Sequence, residues 1–126
     1  MIDYAHTPNA LFNLLTFINK IKKNRIITVT GSAGGRYKEK RPEMGKVVSD
    51  LSDIAIFTAD DPRFEEVSDI CNDLISGTSF NNYIVIEDRP TAIKKALDLA
   101  LEDDIVVIAG RGIDSDMPYK GSIIQP

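Results

Sequence analysis

The chain has 126 residues, 43% of them hydrophobic and 27% charged, a composition typical of a globular domain large enough to bury its own core. Its 15 basic and 19 acidic residues leave a net charge of −4, which argues against a nucleic-acid partner because phosphate neutralisation needs a basic excess. Cys71 is the only cysteine, so an intrachain disulfide and a cysteine cluster for zinc are excluded, and a cytoplasmic location is expected.

The first predicted element is a helix that begins at Pro8, with Thr7 as its N-cap. Apolar residues recur from there at helical spacing as far as Ile21. A short β-branched run then predicts a buried strand at Ile26–Thr30. A loop rich in glycine and charge occupies residues 31–41, and Pro42 is expected to open the second helix.

The same alternation continues to the end of the pattern. The predicted elements are a strand at 54–57, a helix at 67–75 closed by Gly77, a strand at 83–86, a helix at 91–101 and a strand at 105–109. Short connections between helices and strands predict an α/β fold, a mainly parallel, Rossmann-like sheet with helices on both faces. Both ends of the chain are expected to be cut, because the first residues already lie inside a motif and residues 122–126 stop without a closing element. No apolar run approaches the roughly 20 residues that span a bilayer, so no membrane partner is expected.

Ligands of open α/β sheets bind beyond the carboxyl ends of the strands. The loops expected at that edge are 31–41, 58–65, 87–89 and 110–120. The first contains glycines but lacks the lysine and hydroxyl residue of a phosphate-binding loop, so it is either a tight turn or an anion site. The cations that follow are open to two interpretations, a solvated loop or an anion-binding lip: Arg36, Lys38, Lys40 and Arg41.

The other loops combine both signs of charge. Asp60, Asp61 and Arg63 form a compact patch, unless Asp-Pro chemistry there only ends the strand. Gly110 allows close approach of backbone to a ligand, and Asp114 adds a carboxylate. The three aspartates could bind a metal through oxygen, but the interleaved arginines argue against it, and we predict no metal. Guanidinium groups bind carboxylates and aspartates accept from amines, so a zwitterionic amino acid is the simplest ligand.

Two single residues are interpreted as structural. His6 is the only histidine, and without a serine or cysteine motif nearby it is expected to cap or pack rather than to catalyse. Cys71 lies on an apolar helical stripe and is expected to be a core thiol.

Four motifs resemble the third domain of the Mur ligases, in family order. Residues 3–8 read DYAHTP, like the opening motif of that domain. Residues 34–36 and 40–45, GGR and KRPEMG, resemble the loop and helix start of the UDP-N-acetylmuramoyl-tripeptide synthetase branch. Residues 60–63, DDPR, are similar to its Asp-Asn-Pro-Arg signature, and residues 110–112, GRG, to its Gly-Lys-Gly turn.

The resemblance implies an ATP-dependent ligase of peptidoglycan precursor synthesis. ATP phosphorylates the carboxylate of UDP-N-acetylmuramoyl-L-alanyl-D-glutamate, and the amine of an incoming amino acid attacks the acyl phosphate. ATP and Mg²⁺ are then held mainly by a central domain, and the uridine end by another, both absent from these 126 residues. Residues 1–126 form one amino-acid-presenting domain with no catalytic residue of its own, so the domain alone is expected to be inactive.

The resemblance also assigns roles to single residues. Arg36 and Arg63 bind the carboxylate of the amino acid, with Asp60 or Asp61 nearby. The backbone of Gly110 and the side chain of Asp114 hold its far amino end. The residues expected near the nucleotide at the domain boundary are Asp3 and His6.

Departures from the family pattern leave the amino acid open between L-lysine and meso-diaminopimelate. The arginine after the proline favours meso-diaminopimelate, whose second carboxylate needs a cation. Asp61, in place of the usual asparagine, adds negative charge and tips the preference towards L-lysine. Other readings are a related ligase of the cyanophycin or folylpolyglutamate synthetase type, and a non-catalytic amino-acid- or nucleotide-binding module.

Overall fold

The computed structural model describes residues 7–31, 38–59, 65–109 and 121–124. Within these residues the strands are β1 (Ile26–Thr30), β2 (Ile54–Phe57), β3 (Tyr83–Val85), β4 (Ile105–Ile108) and β5 (Ser122–Ile124). The helices are α1 (Pro8–Ile21), α2 (Arg41–Leu51), α3 (Val67–Ile75) and α4 (Arg89–Leu99), and a turn of 3₁₀ helix at Lys38–Lys40 precedes α2.

The strands form one parallel sheet in the order β3-β2-β1-β4-β5. The central strand is β1, which is buried along its whole length. Its last residue, Thr30, is level with Phe57 of β2, and Phe57 is level with Val85 of β3. The carboxyl ends of neighbouring strands therefore lie at one edge of the sheet, as the predicted α/β fold requires.

Alternate strand residues feed two separate cores, because successive side chains point to opposite faces of a sheet. Phe57 and Val107 pack with the apolar stripes of α1, α2 and α3 on one face. Ile56 and Ile108, one position away in each strand, pack against α4 on the other. The prediction of helices on both faces is confirmed.

Local signals in the sequence explain where two of the helices begin. The hydroxyl oxygen of Thr7 accepts a hydrogen bond from the Ala10 N–H at 3.1 Å, and Pro8 follows the cap as predicted. In α4 the carboxylate of Asp88 accepts from the Thr91 N–H at 3.1 Å and from the Thr91 hydroxyl. Asp88 is therefore the N-cap, and α4 begins at Arg89, two residues before the predicted start.

The end of the chain differs most from the prediction. Ser122–Ile124 is not an unfinished tail but β5, an edge strand whose residues pair in parallel with Ile105, Val106 and Val107 of β4. Three residues are too few for a periodic pattern, and their pairing depends on an already formed β4 edge. β5 was therefore not predicted from the sequence, while the expectation that both ends of the chain are cut stays a prediction.

Candidate functional site

The carboxyl edge of the sheet is where the predicted site segments begin. The Thr58 N–H donates to the Thr30 carbonyl and the Ala109 N–H to the Val29 carbonyl, both at 2.9 Å. Through these bonds, the backbone pairing of β2 and β4 with β1 continues for one residue beyond the ends of β2 and β4. The segments 32–37, 60–64 and 110–120 start within two residues of this point in the chain. The described residues that precede these segments therefore lie at one edge of the sheet.

The residues assigned to the ligand by sequence fall on those segments or at the start of the chain. They lie outside the described residues, so their roles stay predictions: Asp3, His6, Arg36, Asp60, Asp61, Arg63, Gly110 and Asp114.

Arg89 connects two strand ends at this edge. Its Nη1 donates to the Ala59 carbonyl at 3.3 Å and its Nη2 to the Ala109 carbonyl at 2.8 Å. Ala59 follows β2 and Ala109 follows β4, and the two strands lie on opposite sides of β1. The sequence prediction placed Arg89 in a loop at the ligand edge but gave it no role. Its place in the loop between the third strand and the next helix marked it as a residue of this edge, but it did not indicate the two carbonyl partners.

Arg41 holds the far end of the segment that follows β2. Its side chain is fully buried, and its Nη1 and Nη2 donate to the two carboxylate oxygens of Glu65 at 2.9 and 2.8 Å. Nη1 also donates to Asp73 of α3 at 2.9 Å. The suggestion that Arg41 belongs to an anion-binding lip was wrong, because protein carboxylates already occupy its guanidinium. Lys38 and Lys40, in contrast, are exposed.

A groove of about 440 Å³ lies between α1 and α2. Its walls are largely apolar, with Phe12 and Val47 among the lining residues. The charged groups there include Lys46 and Asp50, which pair with each other at 2.8 Å. The described part of the groove is therefore a mainly apolar surface with one ion pair and the additional carboxylate of Glu43.

Other chemistry at the described residues is limited. Cys71 is fully buried, and burial, together with the nearby charge of Glu87, raises the pKa of its thiol to about 11. The prediction of a core thiol is confirmed.

No group of three metal-ligating side chains occurs within 7–31, 38–59, 65–109 and 121–124. In the same parts of the chain, no helix has the length and apolar character to cross a bilayer.

Comparison with known proteins identifies the domain. A family model described as "Mur ligase, glutamate ligase domain" matches residues 1–112. The chain belongs to the Mur ligase family. The resemblance drawn from the four motifs is confirmed.

Two similar relatives of this Mur ligase domain carry the same name. A UDP-N-acetylmuramoyl-L-alanyl-D-glutamate–2,6-diaminopimelate ligase of Clostridium perfringens is 50% identical over 99% of the chain and 26% of its own length. The ligase of the same name from Aquifex aeolicus is 46% identical over 96% of the chain and 25% of its own length. The chain therefore spans about a quarter of the relatives it matches.

A solved structure supports the same relationship. A structure of a UDP-N-acetylmuramoyl-L-alanyl-D-glutamate–2,6-diaminopimelate ligase superimposes with a TM-score of 0.80 and 39% identity, over 86% of this chain and 23% of that one. The Rossmann-like Mur ligase fold predicted from the sequence is confirmed.

Proposed function

We propose that the chain is the C-terminal, amino-acid-presenting domain of an ATP-dependent ligase of peptidoglycan precursor synthesis in the cytoplasm. The complete enzyme joins a diamino acid to UDP-N-acetylmuramoyl-L-alanyl-D-glutamate. Residues 1–126 form one domain of that enzyme, and the other substrates bind mainly to domains outside this chain. Sequence identities of 50% and 46%, over 99% and 96% of this chain, to two ligases of that name support the proposal over the cyanophycin and folylpolyglutamate synthetase types.

The observation that carries the proposal is the convergence of β1, β2 and β4 at one sheet edge. The residues just beyond these strand ends include guanidinium groups on Arg36 and Arg63 and carboxylates on Asp60, Asp61 and Asp114. Neighbouring strands lie about 4.8 Å apart, so segments leaving three of them can surround a small molecule with both signs of charge. That arrangement suits an amino acid.

The amino acid we propose is 2,6-diaminopimelate. A diamino diacid carries an ammonium and a carboxylate at each end, and Arg63 after Pro62 supplies a cation for the second carboxylate. The names of the relatives favour this choice. They outweigh the preference for L-lysine that was drawn from the extra negative charge of Asp61.

The work of this domain is binding and orientation. Arg36 and Arg63 hold carboxylates, while the Gly110 backbone and Asp114 hold the far amino end. The reacting amine is thereby kept facing the neighbouring domains, and such positioning contributes on the order of 7–11 kcal/mol to catalysis. ATP with Mg²⁺ activates the muramoyl-dipeptide carboxylate. The 126 residues contain no Gly-Lys-Ser/Thr phosphate-binding loop, so this chain fits ATP only at its boundary, through Asp3 and His6.

An amino-acid panel tests the proposal. The complete ligase is incubated with ATP, UDP-N-acetylmuramoyl-L-alanyl-D-glutamate and one of meso-diaminopimelate, L-lysine, L-ornithine or L-glutamate, and the products are identified by mass. We expect ligation of meso-diaminopimelate, with kcat/KM for L-lysine lower by about 100-fold or more, because the second carboxylate–guanidinium pair is lost. Ligation of L-glutamate alone, or of none of the four, would refute the proposal.

A further inference from the structure

Arg89 stands at an unfavourable place for a cation. It is the first residue of α4, where the helix dipole is positive and a carboxylate would be preferred. Its charge is compensated by the carbonyl oxygens of Ala59 and Ala109, at 3.3 and 2.8 Å. A residue that opposes its local helix signal and donates to two distant backbone carbonyls indicates a demand from the tertiary structure.

The two carbonyls belong to strands that do not touch each other. β2 and β4 are separated by β1, so the axes of these two strands are about 10 Å apart at the usual strand spacing. The planar guanidinium donates from two nitrogens held in one plane. It therefore links Ala59 and Ala109, the residues that follow these strands, through one side chain. A lysine ammonium lacks this pair of donors fixed in one plane.

The starting geometry of Arg89 is itself held in place. Asp88 caps α4 through the Thr91 N–H at 3.1 Å, and Pro90 restricts the backbone on the other side. The hydroxyl of Thr58 donates to the Glu87 carbonyl at 3.4 Å, which connects the end of β2 to the entry of α4. The bridge thus runs between backbone positions fixed on both sides.

We propose that Arg89 is a positioning residue for the amino-acid site. Asp60 follows Ala59 and Gly110 follows Ala109 in the sequence, so the bridge sets the distance at which the two ligand-binding segments leave the sheet. This inference rests on the proposed function, since it concerns the same site. Misplacing a binding group by about 1 Å can cost on the order of 100-fold in rate, so loss of the bridge should weaken amino-acid binding selectively.

The test compares three variants of the complete ligase by steady-state kinetics and thermal unfolding. Arg89→Gln removes both charged donors, Arg89→Lys keeps the charge without the fork, and Lys95→Gln is the control, because Lys95 is exposed on the same helix. We expect Arg89→Gln to raise KM for the amino acid by about tenfold or more, with KM for ATP changed less than about twofold. Arg89→Lys should lie between Arg89→Gln and the wild type, and Lys95→Gln should match the wild type.

The outcomes separate this inference from the proposed function. Equal increases in KM for ATP and amino acid, or an unchanged amino-acid KM in Arg89→Gln, overturn the positioning role while leaving the ligase activity intact. If Arg89→Gln does not fold, the same comparison of KM for the amino acid with KM for ATP is made on Arg89→Lys, and its result decides the positioning role. A wild-type enzyme that ligates none of the amino acids refutes the proposed function itself.

Discussion

Arg41 and Glu65 form a two-pronged ion pair, with Nη1 to Oε2 at 2.9 Å and Nη2 to Oε1 at 2.8 Å. Arg41 opens α2, and Glu65 is the first described residue after the segment 60–64. Arg89 holds Ala59 at the other end of that segment. Two arginines from different helices therefore secure both ends of the stretch predicted to bind the amino acid.

Replacing Arg41 by methionine should destabilise the fold. The substitution keeps much of the buried volume but removes the donors to Glu65 and Asp73, whose carboxylates are 27% and 35% exposed and can partly rehydrate. We expect a loss of about 1–3 kcal/mol in the free energy of unfolding, measured by urea titration. The control is Lys46→Met, which breaks only the exposed pair with Asp50 and should cost less than about 1 kcal/mol. Equal losses in the two variants would contradict the structural role of Arg41.

Gly45 marks a close contact between α2 and α3. A Cβ at this position would lie 1.8 Å from the Leu74 carbonyl oxygen, so the two helices would have to separate. Gly45→Ala should therefore lower stability by at least about 2 kcal/mol, although alanine is the better helix former. Differential scanning calorimetry measures the effect. Lys95→Ala, at an exposed helical site, should leave the transition within about 0.5 kcal/mol of the wild type, and a Gly45→Ala protein as stable as that control would disprove the close packing.

Asp104 should make stability depend on pH. Burial alone would raise the pKa of its carboxyl, but the hydrogen bond from Arg25 and the N–H groups of Leu101 and Arg25 outweigh burial and lower it. A lowered folded-state pKa stabilises the fold above the unfolded value of about 3.9, and the contribution disappears as pH falls through the folded value.

The corresponding experiment compares Asp104→Asn with the wild type across this range. We expect Asp104→Asn to be less stable by about 2–3 kcal/mol at neutral pH, with the difference shrinking below about pH 4. Glu102→Gln, an exposed change in the same turn, should not show this convergence. A constant gap between Asp104→Asn and wild type at all pH values would rule out the titration.

Cys71 should resist thiol reagents while the chain is folded. Its side chain is fully buried, and burial raises the pKa of the thiol to about 11, so the reactive thiolate is scarce at neutral pH. Labelling with a chromogenic disulfide should be on the order of 10³-fold slower in the native chain than in concentrated urea, because it requires an opening of the core. Similar rates in both conditions would show that Cys71 is accessible.

The sequence was most informative where a local pattern determines structure. Helical spacing and the cap at Thr7 predicted α1, a β-branched run predicted β1, and the bounds of β2 and β4 were predicted to within one residue. The parallel sheet was predicted from the alternation of helices and strands along the chain alone. Asp88 with Pro90 also marked the start of α4, but the helix was expected to begin only at Thr91.

Features that depend on distant partners were not predictable in this way. The ion pair of Arg41 with Glu65 joins residues 24 positions apart, and a cluster of cations in sequence gives no sign that one of them is buried. Arg89 reaches backbone carbonyls, which carry no sequence signature at all. β5 exists because β4 offers an unpaired edge. These three features could be recognised only from the folded structure, because each depends on residues that are distant in sequence.

Arg63→Ala in the complete ligase shows whether the carboxyl edge of this domain binds the amino acid, when KM for meso-diaminopimelate and KM for ATP are measured in the same assay. If the carboxyl edge of this domain binds the amino acid, KM for meso-diaminopimelate should rise by about 30-fold or more, as expected when a charged hydrogen-bond pair is lost, while KM for ATP stays within about twofold. Equal changes in both constants, or no change in either, would contradict the account.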